Sequence, residues 1–298
     1  MKKKLALAVA AFVVAACGSE ERRAAVAAEA PTTETSVVPS PTPVIVGPVS
    51  FEDAEATFRD KRYDEAVSKF TAYAETKPEN PWGFYMLGLS AWKSGDHELA
   101  ESSFLKTIGL DSTHVKSRVN LGRVLMETNR YADAVPHIQA AIDIDSTSSE
   151  GFRLLGRAYD GLGRVVDAIW ALKRAIVLDG RDVWALNNLG TVLLRAGRYE
   201  DALGPLARTV ELEPGVATFQ NNFGLALERT GYYKTAAEAY RAALAVDSTY
   251  GKAAISLTRV EQLPEASTLP PLDLTAVVQR FVEQVDVWRS EQEEDPVH

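Results

Sequence analysis

The sequence predicts an all-α fold: a right-handed α-solenoid of tandem 34-residue helix–turn–helix units, followed by one C-terminal helix. Three series of residues carry the prediction. The pairs Leu87-Gly88, Leu121-Gly122, Leu155-Gly156, Leu189-Gly190 and Phe223-Gly224 recur at a constant step of 34. Ala66, Ala100, Ala134, Ala168, Ala202 and Ala236 keep the same step. So do Phe70, Phe104, Ile138, Leu172, Leu206 and Tyr240. No insertion breaks the register, and a fixed period of this length marks a repeat array.

The slots have physical reasons. Gly and Ala stand where two helices cross closely and a larger side chain would push them apart. Gly95, Gly163, Gly197 and Gly231, with Asn129 in the same slot, supply the left-handed residue between helices. The Leu, Phe and Tyr slots fill the space between neighbouring helix pairs. No unit buries its apolar face alone, so the units stack into one core. The array spans 51–263, six units and a capping helix. The first unit, about Phe51–Pro78, has Asp53-Ala54 where the others have the Leu-Gly pair and reads as a polar cap. The last segment, Gly251–Leu263, is a single helix stopped by Pro264.

Ahead of the array, Lys2, Lys3 and Lys4 precede an uncharged run from Leu5 to Ala16. The run is too short to span a hydrocarbon core, which needs about 20 helical residues. A basic start, a short apolar stretch and small residues at its end read as a secretory leader over 1–16. The only cysteine of the 298 residues sits at the expected cleavage point, in Val14-Ala15-Ala16-Cys17-Gly18. One cysteine excludes an internal disulfide and a Cys-based zinc module. Residues 17–50 contain Pro31, Pro39, Pro41, Pro43 and Pro48 and sustain neither a helical nor a strand period, which predicts a disordered tether. Its extended reach is about 100 Å, and as a flexible coil about 30 Å.

Residues 264–298 open with Pro264, Pro270 and Pro271. From about Asp273 to Glu293, Leu274, Val277, Val278, Phe281, Val282, Val285 and Trp288 form an apolar stripe at helical spacing. The stripe is expected to cover the open end of the solenoid. The alternatives are a contact with a second copy or docking into the chain's own groove.

Two resemblances follow from these residues. Phe152-x2-Leu155-Gly156-x2-Tyr159 and Ala168-x3-Leu172, with closing prolines Pro78 and Pro214, resemble the tetratricopeptide repeat (TPR). Ser112, Ser146, Gly180 and Ser248 replace the closing proline elsewhere. The leader resembles a bacterial lipoprotein signal, which implies a Cys17 that is acylated, palmitate included, and becomes the new N-terminus. Several acyl chains, at about 0.8 kcal/mol per buried methylene, hold a membrane firmly. Loss of the three lysines would take the net charge from -9 to -12. Gly18 after the cysteine implies sorting to the outer membrane of the cell envelope, on its periplasmic side.

Chemistry-bearing motifs are sparse. His97, His114, His137 and His298 have no metal-ligand spacing, and there is no nucleophile elbow, P-loop or dinucleotide fingerprint. Ser90-x-x-Lys93 lacks the partner motifs of penicillin-binding enzymes. Asp64, Glu65, Asp133, Asp167, Glu200 and Asp201 open second helices, where the helix dipole favours them. The sequence therefore predicts no enzyme, no cofactor and no metal. The acidic balance argues against nucleic acid as a partner.

The first helix of each unit turns one face away from the packing side. In tetratricopeptide proteins this face lines the concave surface where peptides bind. Over its 36 places it holds nine Lys or Arg and four acidic residues, a local net of +5, and five of the chain's seven asparagines. The candidate groove residues are Asn120, Arg123, Arg153, Arg157, Asn187, Asn188, Arg195, Asn221, Asn222 and Arg229. Amides pair with an extended backbone, and guanidinium groups with carboxylates. Trp82, Tyr85 and Trp92, with Leu89, form an aromatic ledge suited to anchoring an apolar side chain.

The expected function is a membrane-anchored, non-catalytic scaffold that binds an extended protein segment in its groove. One alternative is an assembly factor for an envelope machine, such as a pilus, outer-membrane protein insertion or a cell-wall enzyme complex, working through its convex face or C-terminal helix. Another is a peptidoglycan- or glycan-binding module using Trp82, Trp92 and Trp184.

Overall fold

The computed structural model describes residues 49–264, 269 and 271–294. The leader, Cys17 and most of the tether lie outside the described residues. Those described are helical, with no strand among them. Six helix pairs run in order: α1 (Phe51–Arg59) with α2 (Tyr63–Thr76), α3 (Pro81–Ser94) with α4 (His97–Leu110), and α5 (Val115–Glu127) with α6 (Tyr131–Ile144). Next come α7 (Ser149–Gly161) with α8 (Val165–Leu178), α9 (Val183–Arg195) with α10 (Tyr199–Leu212), and α11 (Ala217–Arg229) with α12 (Tyr233–Val246). Helices α13 (Gly251–Val260) and α14 (Leu274–Glu294) complete the chain.

Local chemistry sets the boundaries. Ser50, Asn80, Ser148 and Asp182 cap first helices, their side-chain oxygens accepting from backbone N–H groups one turn in. Four of the six second helices start differently. Arg62, Arg130, Arg164 and Arg198 stand before them at the repeat step, and each bonds the carboxylate three residues on, Glu65, Asp133, Asp167 or Asp201. The acidic residues that open these helices thus have a local partner besides the helix dipole.

The turn slot adopts positive φ in every unit: Gly95, Asn129, Gly163, Gly197 and Gly231, and also Lys61 at φ 62°. Lysine holds the left-handed conformation there because the repeat imposes it, against a cost of about 1–2 kcal/mol.

Packing within a unit follows the Leu-Gly slot. A Cβ added to Gly88 would stand 2.7 Å from the Phe104 ring, and one on Gly224 would stand 2.7 Å from the Tyr240 ring. The missing side chain is the space that the second helix fills. The core runs without interruption from Ala54 to Val260.

First helices approach one another closely along the array (α3 with α5, α5 with α7, α7 with α9, α9 with α11), whereas no two second helices among the described residues bring Cα atoms within 8 Å of each other. The stack therefore curves with its first helices on the inner, concave side and its second helices on the outer, convex side.

The expected place of the C-terminal helix is corrected. Helix α14 neither covers the end of the solenoid nor enters the groove. It lies on the convex side against α10 and α8, touching neither α12 nor α13. Its stripe of Val277, Phe281, Val285 and Trp288 is buried there. The reason lies in Gly204 of α10, in a slot that holds Ser102, Pro136, Trp170 or Glu238 in other units. A Cβ on Gly204 would stand 2.9 Å from Phe281, so the glycine is the hole that accepts the ring. Near the other end, the Lys173 ammonium of α8 sits 4.3 Å over the Trp288 ring.

Candidate partner-binding groove

The concave face is first a set of joints between units. Four of them share one offset. Asn120 Nδ2 donates to the Tyr85 hydroxyl at 3.5 Å, and Trp92 Nε1 donates to Glu127 Oε2 at 2.7 Å. Arg195 pairs with Asp160, and Asn222 Nδ2 donates to Asn187 Oδ1 at 2.9 Å. Each joins residue i to i+35, one repeat plus one residue, which faces neighbouring first helices side by side.

Other joints use shorter offsets, of 27 to 31 residues. Arg123 pairs with Glu150. Arg153 Nε donates to Asp182 Oδ2 at 2.9 Å, with Asp182 only 12% exposed. At the last joint, Arg259 makes a two-pronged contact with Glu228 at 2.7 and 2.8 Å, and the Tyr240 hydroxyl donates to the same carboxylate at 2.7 Å. Burial pushes the Glu228 carboxyl up, but the Arg259 and Tyr240 bonds outweigh it and hold the group below its ordinary value.

The predicted groove residues thus divide. Asn120, Asn187 and Asn221 are buried between helices, and Asn221 Nδ2 donates to Asn222 Oδ1 at 3.4 Å. Arg123, Arg153 and Arg195 have carboxylate partners inside the chain. Arg229 is exposed, its guanidinium 5.9 Å from the Tyr199 ring. Arg157 is exposed, and neither its guanidinium nor the Asn188 side-chain amide has a partner among the described residues.

Those two groups converge on a cavity of about 540 Å³ to which α3, α5, α7 and α9 all contribute. Its lining includes Trp92, Arg123, Arg153, Arg157, Trp184 and Asn188, with Leu154 and Glu127. Burial lowers the affinity of Arg123 for its proton, and the charges of Arg153 and Arg157 lower it further, so three like charges share one space. Arg123 Nε is buried there without a hydrogen-bond partner. A second depression of about 490 Å³, lined by Tyr85, Lys116, Asn120 and Glu150, shares Arg123 with the first.

The aromatic ledge is divided too. Trp82, 48% exposed, packs edge-on against Tyr85 and His114, with ring centroids 5.6 and 4.9 Å apart. Trp92, at the far end of α3, joins the cavity with Trp184, which is 53% exposed. Ser90 is fully buried and its hydroxyl donates to the Met86 carbonyl at 2.7 Å, so the Ser90/Lys93 spacing has a packing explanation. Among the described residues, no group of His, Cys, Asp and Glu could hold a metal ion, and no helix is long and apolar enough to cross a membrane.

Sequence reasoning missed the acidic half of these joints, Glu127, Glu150, Asp160 and Asp182, as partners. The offset of 35 is the signal that would have found two of them, since it pairs Trp92 with Glu127 and Asp160 with Arg195.

The tetratricopeptide repeat profile matches residues 85–149, 153–217 and 187–253, and the chain belongs to the tetratricopeptide repeat family. Membership makes it a scaffold of the class that binds peptides or proteins. Among solved structures, MamA of Desulfovibrio magneticus RS-1 is similar at 24% identity and TM-score 0.52, over 55% of this chain and 92% of that one. PilF of Pseudomonas aeruginosa is similar at 14% identity and TM-score 0.61, over 70% and 95%. YrrB, described as a TPR protein with an unusual peptide-binding site, is similar at 22% and 0.52, over 64% and 99%. These likenesses concern the fold. No curated protein sequence matches the chain.

Proposed function

We propose that the mature chain is a non-catalytic scaffold of the bacterial cell envelope, anchored by lipid on Cys17 to the outer membrane and facing the periplasm. Its concave groove holds an extended segment of a protein partner. One observation carries the groove reading. Most polar groups of the concave joints are paired inside the chain, whereas Arg157 and Asn188 stand unpaired over a cavity walled by Trp92 and Trp184. A free guanidinium beside a free amide suits a carboxylate next to a peptide backbone, and the indoles suit a neighbouring apolar or aromatic side chain. YrrB, with its peptide-binding site, lends support by fold.

The alternative in which α14 is the contact for an assembly partner has less in its favour, because its apolar stripe is occupied by α8 and α10.

The test combines Arg157→Glu with Asn188→Ala, which disturbs no internal pair, followed by cross-linking and co-purification from envelope extracts. Loss of specific partners is expected, and an unchanged partner set would sink the groove reading. For the anchor, labelled palmitate should enter the wild-type chain and not Cys17→Ser. A chain left unlabelled and soluble in both forms would refute it.

A further inference from the structure

We infer that α14 is a dorsal brace that fixes the angle between the two units lining the groove cavity, and so sets the width of the groove at that point. Four observations meet on it. First, no Cα of one second helix comes within 8 Å of a Cα of another among the described residues, so the backbones of the convex side stand apart and meet only through side chains, as Arg130 at the start of α6 meets Glu101 of α4. Second, α14 touches α10 and α8 and no other described helix, and thereby bridges one adjacent pair of second helices. Third, that pair belongs to the units whose first helices, α7 and α9, supply Arg153, Arg157, Trp184 and Asn188 to the cavity. The Arg157, Asp160, Asn188 and Arg195 side chains of the same two helices also line a smaller cavity of about 250 Å³.

Fourth, the contact is built into the sequence of this one joint. Gly204 is a helix-interior glycine, costly to helix stability, in a slot that other units fill with larger residues. Its use is to receive Phe281. Lys173 covers Trp288 on the neighbouring helix, so the two ends of the brace are held on different units. A strut across the outer side of a curved stack, with α7 against α9 on the inner side, closes a triangle. Closing it removes the bending freedom that a solenoid joint otherwise keeps. The role of α14 is therefore to position the groove, with no contact to the ligand. Its consequence for partner binding rests on the groove reading above, whereas its consequence for the shape of the solenoid does not.

The test uses the full chain and two independent variants. Gly204→Gln closes the hole while favouring helix α10. Phe281→Glu with Trp288→Glu removes the knobs and leaves the solenoid untouched. Hydrogen exchange should show α14 amides about tenfold or more faster in both variants, and α9 amides faster by a smaller factor, with α3 and α5 unchanged. Spin labels at the exposed Glu98 and Glu238 positions, on second helices either side of the joint, should give a visibly broader distance distribution. Exchange and distances that match wild type in α9 while α14 is released would overturn the brace. Continued protection of α14 in both variants would overturn the built contact itself. If the distances broaden but partner capture is unchanged, the groove reading fails and the brace stands.

Discussion

On the concave side of the α7–α10 block, neighbouring helices are tied by charges and amides. On its convex side, α8 and α10 are bridged by α14, through buried apolar side chains and the Lys173–Trp288 contact. The contrast separates two uses of the surface. An ion pair in partial solvent contributes about 0–1 kcal/mol, so Arg195–Asp160 and its neighbours specify register more than they stabilise. Polar groups held this way remain available to rearrange around a ligand. Burying Val277, Phe281, Val285 and Trp288 contributes roughly 1.5–3 kcal/mol for each large apolar side chain. One face is a seam that can recognise, and the other is a clasp.

The largest effect should come from the clasp. Trp288→Ala is expected to cost about 3–5 kcal/mol of α14 docking, since a buried indole and its lysine contact are lost together. Urea unfolding followed through α14 protection would read it, and a cost below that of any seam mutation would reverse the comparison. On the seam, Arg153→Met should destabilise by about 1–3 kcal/mol, because it leaves the Asp182 carboxylate nearly buried without its guanidinium. Thermal unfolding of the variant against Asp182→Asn with Arg153→Met would show recovery if the unpaired charge is the cause.

The Glu228 joint gives a pH signature. Its folded carboxyl binds a proton less readily than the unfolded one, whose ordinary value is 4.5. The stabilisation is therefore complete above that value and is lost as pH falls through the lower folded value. The melting temperature of the α11–α13 end should drop in acid, and Glu228→Gln should flatten that slope while lowering stability near neutrality. A slope as steep in the variant as in wild type would assign the acid sensitivity elsewhere. The smallest effect belongs to Arg157→Ala, which removes no internal pair and should shift stability by less than about 0.5 kcal/mol while weakening partner capture. A clear drop in melting temperature would mean that Arg157 is part of the seam after all.

Much of the architecture is legible in the amino-acid sequence. The step of 34 locates every turn, and Asn129 and Gly163 take the left-handed conformation expected of their slot. The concave face follows from the same periodicity, yet its net of +5 does not reveal that most of its arginines are already paired. Pairing depends on which residues of adjacent helices stand level. That level varies from joint to joint, 27 residues for Arg123–Glu150, 29 for Arg153–Asp182 and 35 for Asp160–Arg195, so no single period announces it.

The repeat, its turn slots, the stacking order and the face that looks inward all follow from the amino-acid sequence. Each of these is repeated six times or set by residues one turn apart, so local geometry and periodicity suffice. That Arg157 and Asn188 are the unpaired groups, and that α14 lies on α8 and α10, emerges only from the packed chain. The first depends on partners drawn from neighbouring repeats. The second depends on a knob and a hole, Phe281 and Gly204, that meet once, far apart in the chain, with no period to announce them.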